Sequence, residues 1–486
     1  MGDGGGLIGD LSLPDGLVAV VKRDCPTCRL VAPVLDELAA GAGPLTVFSQ
    51  DDPTFPPGLG ARHDDALEVS YRLQVTIVPT LLRVAGGRET ARAEGWHRGE
   101  WEAVAARRAL GAGLPAARPG CGSRSVEPGI AEELAARFGD VFRSRRIEAG
   151  PLEDEAELCF ERGWTDGLPV VPPTPARVLR MLAGTSRAPD EVVAVVPPDL
   201  VPCTVEKVAI NAVLAGCRPE YLPVVLAAVE AACTEEWNAH GVLATTWFSG
   251  PVVVVNGPIT RAVGMNAAIN CLGQGNRANA TIGRALQLVI RNVGGGRPGD
   301  VDRATLGQPG KVSACFAERE DDSPWESLAT ERAGIPPDRS AVTLFAGGGV
   351  QGIADQASRT PESLARTFAA CLRVVMHPKL VIGADAMLVV SPEHARVFRI
   401  AGWSKARLRA ELDELLALPG SELVRGAGGI AEGIPERLAG ATLPKFRPGG
   451  LLIVHAGGTA GLFSAVIGGW VSGAIGSEPV TREIGP

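Results

Sequence analysis

Short apolar runs alternate with amphipathic helical stretches along most of the chain, which is the pattern of an α/β protein. The first apolar run, 17–21, is followed by apolar positions at helical spacing from Leu30 to Leu38. Further runs predict strands at 45–48, 81–84 and 89–93, and helices at 64–73 and 100–110. The sequence therefore predicts a small α/β domain over residues 1–112.

A second, longer series of strands and helices begins after residue 152. Residues 111–125 are rich in Gly, Ala, Pro and Arg and lack apolar periodicity, so we assign 113–152 to a linker and a connecting helix. Beyond it the pattern predicts strands at 192–196, 252–255, 311–316, 342–345, 380–390 and 451–454, and helices at 175–182, 205–215, 220–232, 280–292, 362–375, 392–400, 405–416 and 462–471. We expect a large mixed α/β domain over 153–486, built as one lobe or two.

Composition and charge narrow the class of protein. The chain has 486 residues, of which 45% are apolar, which is enough for large cores. Its net charge of −8 and the lack of basic runs interleaved with aromatics argue against nucleic acid as a partner. Residues 451–476 carry no charged side chain and are long enough to cross a bilayer, but their glycines favour a strand, a turn and a buried helix. With no secretory signal at the start, we expect a cytoplasmic protein without a membrane anchor.

Two of the ten cysteines have a spacing that carries chemistry. Cys25 and Cys28 lie at a strand-to-helix turn, where unpaired helix N–H groups favour the thiolate of Cys25 and place Cys28 one turn along as the resolving thiol. A zinc site would need a second pair of ligands, and the next cysteine, Cys121, stands alone in the sequence. We expect Cys25 to be the exposed nucleophile of a redox-active disulfide with Cys28, with no firmly predicted cofactor and reduced thiols elsewhere.

The stretch Cys25-Pro26-Thr27-Cys28, with Ile77-Val78-Pro79-Thr80 and the elements around them, resembles the thioredoxin superfamily over residues 7–112. The resemblance implies that Pro79 follows a cis peptide bond and faces the cysteine pair. Two features depart from the family pattern: Ala19 stands where thioredoxin has a buried acid, and Asp24 precedes the first cysteine. Asp24 raises the pKa of the Cys25 thiol while the neighbouring basic residues lower it, so the sequence leaves the sign of the shift open.

The large domain resembles an uncharacterised bacterial family over residues 155–476. The resemblance rests on the phrases at 162–172, 206–212, 279–285 and 392–395. Members of that family look like companions of proteins with a UGSC or CGSC redox motif, which are similar to glycine-reductase-type selenoproteins. The resemblance implies a redox protein of that type as a partner, in an oligomer or hetero-complex, but it carries no mechanism.

A polar loop at 264–284 is the predicted substrate site. It lies between an apolar strand and a helix, where anionic or amide-bearing ligands bind in open α/β sheets. The alternative is that its Asn and Thr residues cap a helix and its glycines form turns. The candidate residues in this loop are Asn270, Cys271, Arg277, Asn279, Thr281 and Arg284, with Cys271 as the reactive thiol of the large domain.

Other candidates stand near strand ends and helix starts. His455 ends a predicted strand and is a candidate general base, while His394 and Asp166 are candidate substrate ligands. Glu206 is a candidate for proton transfer or a helix cap. Glycines at 347–349 and 457–458 suggest close approach of backbone to a ligand. No HxH or HxxxH spacing supports a metal site.

These observations lead to three functional hypotheses. In the first, the CxxC domain supplies electrons, or sulfur as a persulfide, in cis to a small-molecule reaction in the large domain, as a thiol-dependent oxidoreductase or sulfur-transfer enzyme. In the second, the large domain is a non-catalytic scaffold that docks a cysteine- or selenocysteine-containing partner. A free-standing disulfide reductase, the third, leaves the large domain unexplained. A ligand-sized cleft at Asn270, Arg277 and Asn279 would favour the first hypothesis.

Overall fold

A computed structural model describes residues 13–41, 43–139, 141–150 and 152–485. The chain divides into two compact units, Met1–Val141 and Phe142–Pro486. Each unit contains both helices and sheets, so the α/β fold class expected from the sequence is confirmed.

The first unit is built on a five-stranded mixed sheet. In chain order its elements are β1 (Gly16–Val21), α1 (Pro26–Ala39), β2 (Leu45–Ser49), β3 (Arg62–His63), α2 (Glu68–Arg72), β4 (Ile77–Val78), β5 (Thr80–Ala85), β6 (Arg88–Glu94), β7 (Trp96–His97), α3 (Arg98–Ala105), β8 (Ala117–Arg118), β9 (Cys121–Gly122) and α4 (Ile130–Phe138). The strand order is β3-β2-β1-β5-β6, with β1 parallel to β2 and antiparallel to β5. The central strand β1 is thus paired on both edges.

One apolar core holds this unit together. The buried half of β1 and the apolar stripe of α1, which includes Val31, Val34 and Leu35, contribute to the same cluster of fully covered side chains. Burying each such side chain contributes about 1.5–3 kcal/mol. Trp96 and Trp101 close the core from the other end with an edge-to-face contact, their ring centroids 5.3 Å apart.

The segment expected to be a linker is instead part of the first unit. Strand β8 pairs with β7, and β9 pairs with β4. Ser123 is fully buried and accepts a hydrogen bond of 2.7 Å from Gln50 Nε2, while Ser125 donates to the carbonyl of Val75 at 2.8 Å. The prediction of an unpacked linker over 111–125 is therefore wrong, because these short polar side chains find partners that lie far away in the sequence.

The second unit contains eleven strands and twelve α-helices among its described residues. The strands are β10 (Val192–Val196), β11 (Val201–Thr204), β12 (Gly250–Asn256), β13 (Cys315–Ala317), β14 (Ala341–Ala354), β15 (Ala384–Val390), β16 (Leu418–Pro419), β17 (Thr442–Leu443), β18 (Leu451–His455), β19 (Phe463–Val471) and β20 (Val480–Glu483). The helices are α5 (Glu155–Glu161), α6 (Pro175–Leu182), α7 (Val205–Ala215), α8 (Leu222–Ala232), α9 (Ala239–Ala244), α10 (Ile259–Ala262), α11 (Arg277–Asn292), α12 (Leu328–Ala333), α13 (Pro361–Arg373), α14 (Pro392–Ile400), α15 (Lys405–Leu416) and α16 (Gly420–Leu423).

The main sheet of this unit repeats one three-stranded arrangement. Its order is β13-β12-β14-β19-β15-β18, with β20 beside β14. In the first half β12 is parallel to β13 and antiparallel to β14, and in the second half β15 is parallel to β18 and antiparallel to β19. The two halves join through β14 and β19. The sequence shows no repeat of fixed period, so the duplication is visible only in the topology.

The two edge strands of this sheet, β13 and β18, come together at their carboxyl ends. The amide of Arg319 donates to the carbonyl of His455 at 2.8 Å. All six strands of the duplicated arrangement contribute to one inner core, whose buried members include Val254, Phe316 and Val454. Opposite faces of β15 and β18 pack against α13, α14 and α15. The apolar runs of these strands therefore reflect burial on both faces.

Three sequence-based assignments in this unit need correction. Residues 462–471, expected to be helical, form β19, and the strand expected at 380–390 begins only at Ala384. The glycines after Phe345 continue β14, and a Cβ at Gly347 would lie 2.7 Å from a methyl of Val252. Gly347 therefore permits the close packing of β14 against β12. Within the described residues, no helix has the length and apolar character needed to cross a bilayer.

Candidate functional site

The two cysteines of the CxxC motif lie at the start of α1. Cys25 is the N-cap residue, and its sulfur accepts a hydrogen bond of 3.4 Å from the amide of Cys28. Pro26 occupies the first helical turn, where its missing N–H costs nothing. The sulfur of Cys28 accepts from the amide of Lys22 at 3.5 Å. The motif thus adopts the strand-to-helix turn expected from the sequence.

This geometry gives the thiols of Cys25 and Cys28 very different pKa values. The pKa of Cys25 is lowered to about 4, chiefly because the Cys28 thiol donates a hydrogen bond to its thiolate and the amides of Thr27 and Cys28 add to it. Burial, together with that same hydrogen bond, raises the pKa of Cys28. At neutral pH the pair therefore holds one thiolate and one thiol, which is the protonation state that attacks a disulfide. The structure resolves the sign that the sequence left open.

Pro79 stands beside the cysteine pair. The Val78–Pro79 peptide is cis, as the resemblance implies. The carbonyl oxygen of Val78 lies 3.5 Å from the sulfur of Cys25, which donates to it in its thiol form. The turn at Pro79 thus brings β4 against the first cysteine.

Both sulfurs of the motif are covered, which contradicts the expectation of an exposed nucleophile. Cys25 and Cys28 are 0% exposed. The segment 117–122, which we call the covering segment, lies against the motif: Thr27 Oγ1 donates to the carbonyl of Pro119 at 2.6 Å, and Lys22 Nζ to that of Gly122 at 2.8 Å. Sequence reasoning missed this feature because the covering segment shows no apolar period.

Cys121 lies in the covering segment and interacts with the motif directly. It pairs with Val78 across β4 and β9 and packs against the buried cluster that contains Cys25 and Cys28. Hydrogen bonding to the Cys25 side chain, followed by burial, raises the pKa of Cys121. The cysteine that stands alone in the sequence is thus the third member of a three-thiol cluster. All three thiols are free.

In the second unit, the polar side chains of the predicted substrate loop at 264–284 form hydrogen bonds within the protein. Asn279 is buried, its Oδ1 accepts from the amide of Asn266, and its Nδ2 donates to the carbonyls of Asn266 and Cys271. The remaining candidates also have partners within the protein: Asn270 donates to Gln274, Arg277 to Gly216 and Thr281 to Arg277. The geometry favours the alternative interpretation, in which this loop is an assembly of caps and turns.

Cys271 is a core residue. It is 4% exposed and belongs to the inner cluster of the sheet with Val254 and Val454. Burial raises the pKa of its thiol to about 11, so it is neutral at physiological pH. The choice of Cys271 as the reactive thiol of the large domain is therefore wrong.

Asp166 and Arg284 bind each other. The guanidinium donates from Nε to Oδ2 at 2.8 Å and from Nη2 to Oδ1 at 2.7 Å, a bidentate pair. Burial alone would raise the pKa of Asp166, but the hydrogen bonds and charge of Arg284 outweigh it and lower that pKa. Two residues that sequence reasoning assigned to a ligand thus fasten the loop at 163–174 to α11.

The two candidate histidines are buried near the ends of the sheet. His394 shares hydrogen bonds with Ser464 Oγ at 2.7 Å and with the carbonyl of Asp355 at 3.0 Å. His455 Nδ1 donates to the carbonyl of Arg319 at 2.8 Å, and its Nε2 has no partner among the described residues. Burial lowers the pKa of His455, so its ring is neutral at pH 7. His455 thus lies at the closure of the sheet, while His394 joins α14 to the start of β19 and to the segment after β14.

Glu318 is the buried acid at this closure. Its Oε2 accepts from Asn256 Nδ2 and from the amide of Leu328, each at 2.7 Å, and its Oε1 accepts from the amide of His455. Burial raises its pKa. Sequence reasoning did not single out Glu318. Across the described ranges, no group of three or more His, Cys, Asp or Glu side chains is arranged to hold a metal ion.

A cavity of about 730 Å³ lies elsewhere in the second unit. Its wall includes the apolar side chains of Trp164, Ile210 and Leu214 beside the amides of Asn211 and Asn292. Glu206 holds a further wall in place, because its carboxylate accepts from the amides of Arg143 and Ser144. The volume is that of a small organic ligand. The phrases at 162–172 and 206–212, noted in the sequence, both contribute to this wall.

Comparison of the chain with protein-family models and with curated proteins finds no match. The function is therefore argued from the geometry of the three-thiol cluster and of the cavity.

Proposed function

We propose that this protein is a thiol–disulfide oxidoreductase whose reactive pair is Cys25 and Cys28. The observation that carries the proposal is the division of acidity between the two thiols, with the pKa of Cys25 at about 4 and that of Cys28 raised. The Cys25 thiolate attacks a disulfide, and one substrate sulfur leaves as a thiolate. Cys28 then loses its proton to solvent and attacks the sulfur of Cys25 in the mixed disulfide, which releases the second substrate thiolate and leaves a Cys25–Cys28 disulfide. The cis Pro79 and the thioredoxin resemblance support the same chemistry.

The test is the redox titration of the pair. We expect the protein, equilibrated in glutathione buffers of graded potential, to form a disulfide inside tryptic peptide 24–29 in a single two-electron transition. Cys25→Ser should abolish the transition, while Cys371→Ser, a half-buried thiol in the second unit, should leave it unchanged. A reduced peptide 24–29 at every potential would contradict the proposal.

We further propose that the second unit binds a small organic molecule in its cavity, on which the redox chemistry acts in cis. The cavity is of ligand size and mostly apolar, with amides on one wall, which suits a compact molecule with an apolar body and a polar group. A tether between the two units raises the local concentration of the electron carrier. A scaffold that docks a protein partner requires a broad surface and not a cavity.

The cavity can be tested with 1-anilinonaphthalene-8-sulfonate as the probe. Ile210→Trp places an indole in the cavity and should weaken binding about tenfold or more, because the probe and the indole compete for one volume. The control is Ile400→Trp, on a side chain that is 75% exposed. Equal affinity in both variants would remove the support for a small-molecule site and favour the scaffold.

A further inference from the structure

We propose that Cys121 is a relay thiol, which passes oxidising equivalents between solution and the covered pair Cys25–Cys28. The proposal rests on the proposed function of that pair. It adds a third redox residue and a route by which a small soluble disulfide reaches the site.

Cys121 lies next to Cys25 in the fold. The pairing of β9 with β4 sets Cys121 opposite Val78, whose carbonyl lies 3.5 Å from the sulfur of Cys25. Cys121 packs against the buried cluster that contains Cys25 and Cys28, and the Cys121 side chain helps to lower the pKa of Cys25. No other described cysteine besides Cys28 shifts the pKa of Cys25.

Contacts on both sides of Cys121 hold the covering segment against the CxxC motif. Thr27, inside the CxxC motif, donates to Pro119, and Lys22, at the end of β1, extends its ammonium group to Gly122. Gly120 fits tightly, since a Cβ there would lie 2.6 Å from the carbonyl oxygen of Val78. These contacts on both sides of Cys121 fix its thiol beside Cys25.

Cys121 is more accessible to solvent than the two cysteines of the motif. Cys25 and Cys28 are completely covered, whereas Cys121 is only half-buried and Gly122 beside it is exposed. A disulfide that diffuses from solution therefore meets the sulfur of Cys121 first. Without a relay, the covering segment would have to leave before the nucleophile could act.

The steps balance with a small disulfide, RSSR, as the oxidant. Cys121 loses its proton to solvent and attacks one sulfur as the thiolate, forming a mixed disulfide and releasing RS⁻, which takes up a proton. The Cys25 thiolate then attacks the sulfur of Cys121, a Cys25–Cys121 disulfide forms, and the second RS⁻ leaves. Finally Cys28 loses its proton to solvent and attacks the sulfur of Cys25, and Cys121 departs as a thiolate. The net result is one protein disulfide, Cys25–Cys28, and two molecules of RSH.

The experiment follows oxidation of the full chain by glutathione disulfide, with peptide mapping. Trypsin places Cys25 and Cys28 in peptide 24–29 and Cys121 in peptide 109–124, because Arg118 precedes a proline. In Cys28→Ser the last step is blocked, so we expect the two peptides to become linked through Cys25–Cys121. In Cys121→Ser and Cys121→Ala we expect peptide 24–29 to oxidise about tenfold more slowly or worse, since the covered sulfurs lose their contact with solution.

The outcomes separate this proposal from the one on which it rests. If Cys28→Ser accumulates glutathione on Cys25 with Cys121 unmodified, and both Cys121 variants oxidise at the parental rate, the relay is wrong while the Cys25–Cys28 pair stands. If the parental protein forms no disulfide in peptide 24–29, the proposed function itself fails. Circular dichroism and melting temperature of each variant establish that a slow rate is not a loss of fold.

Discussion

At the scale of single residues, several polar side chains bind a residue far away in the sequence, and Asp166 is the clearest case. Its position in a Gly- and Pro-rich loop suggests a ligand, yet both of its oxygens bind the guanidinium of Arg284. The two side chains are each 13% exposed, so the pair is largely withdrawn from solvent. Removal of one partner from such a pair leaves the other without compensation.

We expect Asp166→Asn to lower the free energy of unfolding by about 1–3 kcal/mol at pH 7. The pKa of Asp166 is lower in the folded state than in the unfolded state, so its contribution is fully present above pH 4 and disappears as the pH falls through the folded pKa. The loss caused by the substitution should shrink in the same direction. Denaturant unfolding of both proteins at pH 7 and at pH 3 measures it. A loss that stays equal at the two pH values would show that the charge of Asp166 is not what stabilises the fold.

At the scale of elements, two buried lysines hold the loops around β15 and β18 through backbone carbonyls, with no acidic partner among the described residues. Lys445 is 3% exposed and donates to the carbonyls of Val375, His377 and Leu380 at 2.7–2.9 Å. Lys379 donates in the same way to three carbonyls between Val424 and Ile430. Each ammonium group supplies the hydrogen-bond donors that these carbonyls would otherwise receive from the backbone N–H groups of a strand or helix.

The Lys445→Met substitution tests this role. We expect the free energy of unfolding to fall by about 1–3 kcal/mol, because three buried carbonyls lose their donor and the side chain keeps a similar length. Lys207→Met is the control, since Lys207 Nζ makes one exposed contact with Pro202, and we expect a change within about 0.5 kcal/mol. Denaturant unfolding monitored by circular dichroism compares the two. Equal losses would mean that the three carbonyl contacts add no stability.

At the scale of the whole molecule, the end of the first unit decides whether its three-thiol cluster is complete. The apolar pattern ends near residue 112, but the structure continues the unit through the covering segment and α4. Trp96 Nε1 donates to the carbonyl of Pro115, and the buried Gln50 amide depends on Ser123. A fragment that stops at the end of the apolar pattern loses these partners.

We therefore expect a fragment of residues 1–139 to fold and to form the Cys25–Cys28 disulfide. A fragment of residues 1–112 should be less stable, because Trp96 loses the acceptor of its indole N–H and Gln50 keeps only one of its two amide acceptors, Ser70. Thermal unfolding of the two fragments, purified in parallel, measures the difference. Equal melting temperatures would restore the boundary suggested by the sequence.

The elements whose sequence signal is local could be predicted. Val192–Val196, Val205–Ala215 and Pro392–Ile400 have the bounds that their apolar periods indicate, and the Cys25 turn forms where a strand pattern meets a helix pattern. The cis peptide before Pro79 was implied by the family resemblance. Residues 462–471 were misassigned because an apolar run of this length fits a buried strand as well as a buried helix.

The sequence by itself determined the local alternation of strands and helices, the α/β class, and the CxxC motif at a helix start, because each depends on residues that are neighbours in the chain. Only the tertiary structure decided which polar groups meet. It joined Asp166 to Arg284, duplicated the three-stranded arrangement without a sequence repeat, and brought Cys121 to Cys25. Such contacts join residues that are far apart in sequence, and no periodicity encodes them. The apolar pattern shows which side chains are buried, and the packing of the whole chain determines their partners.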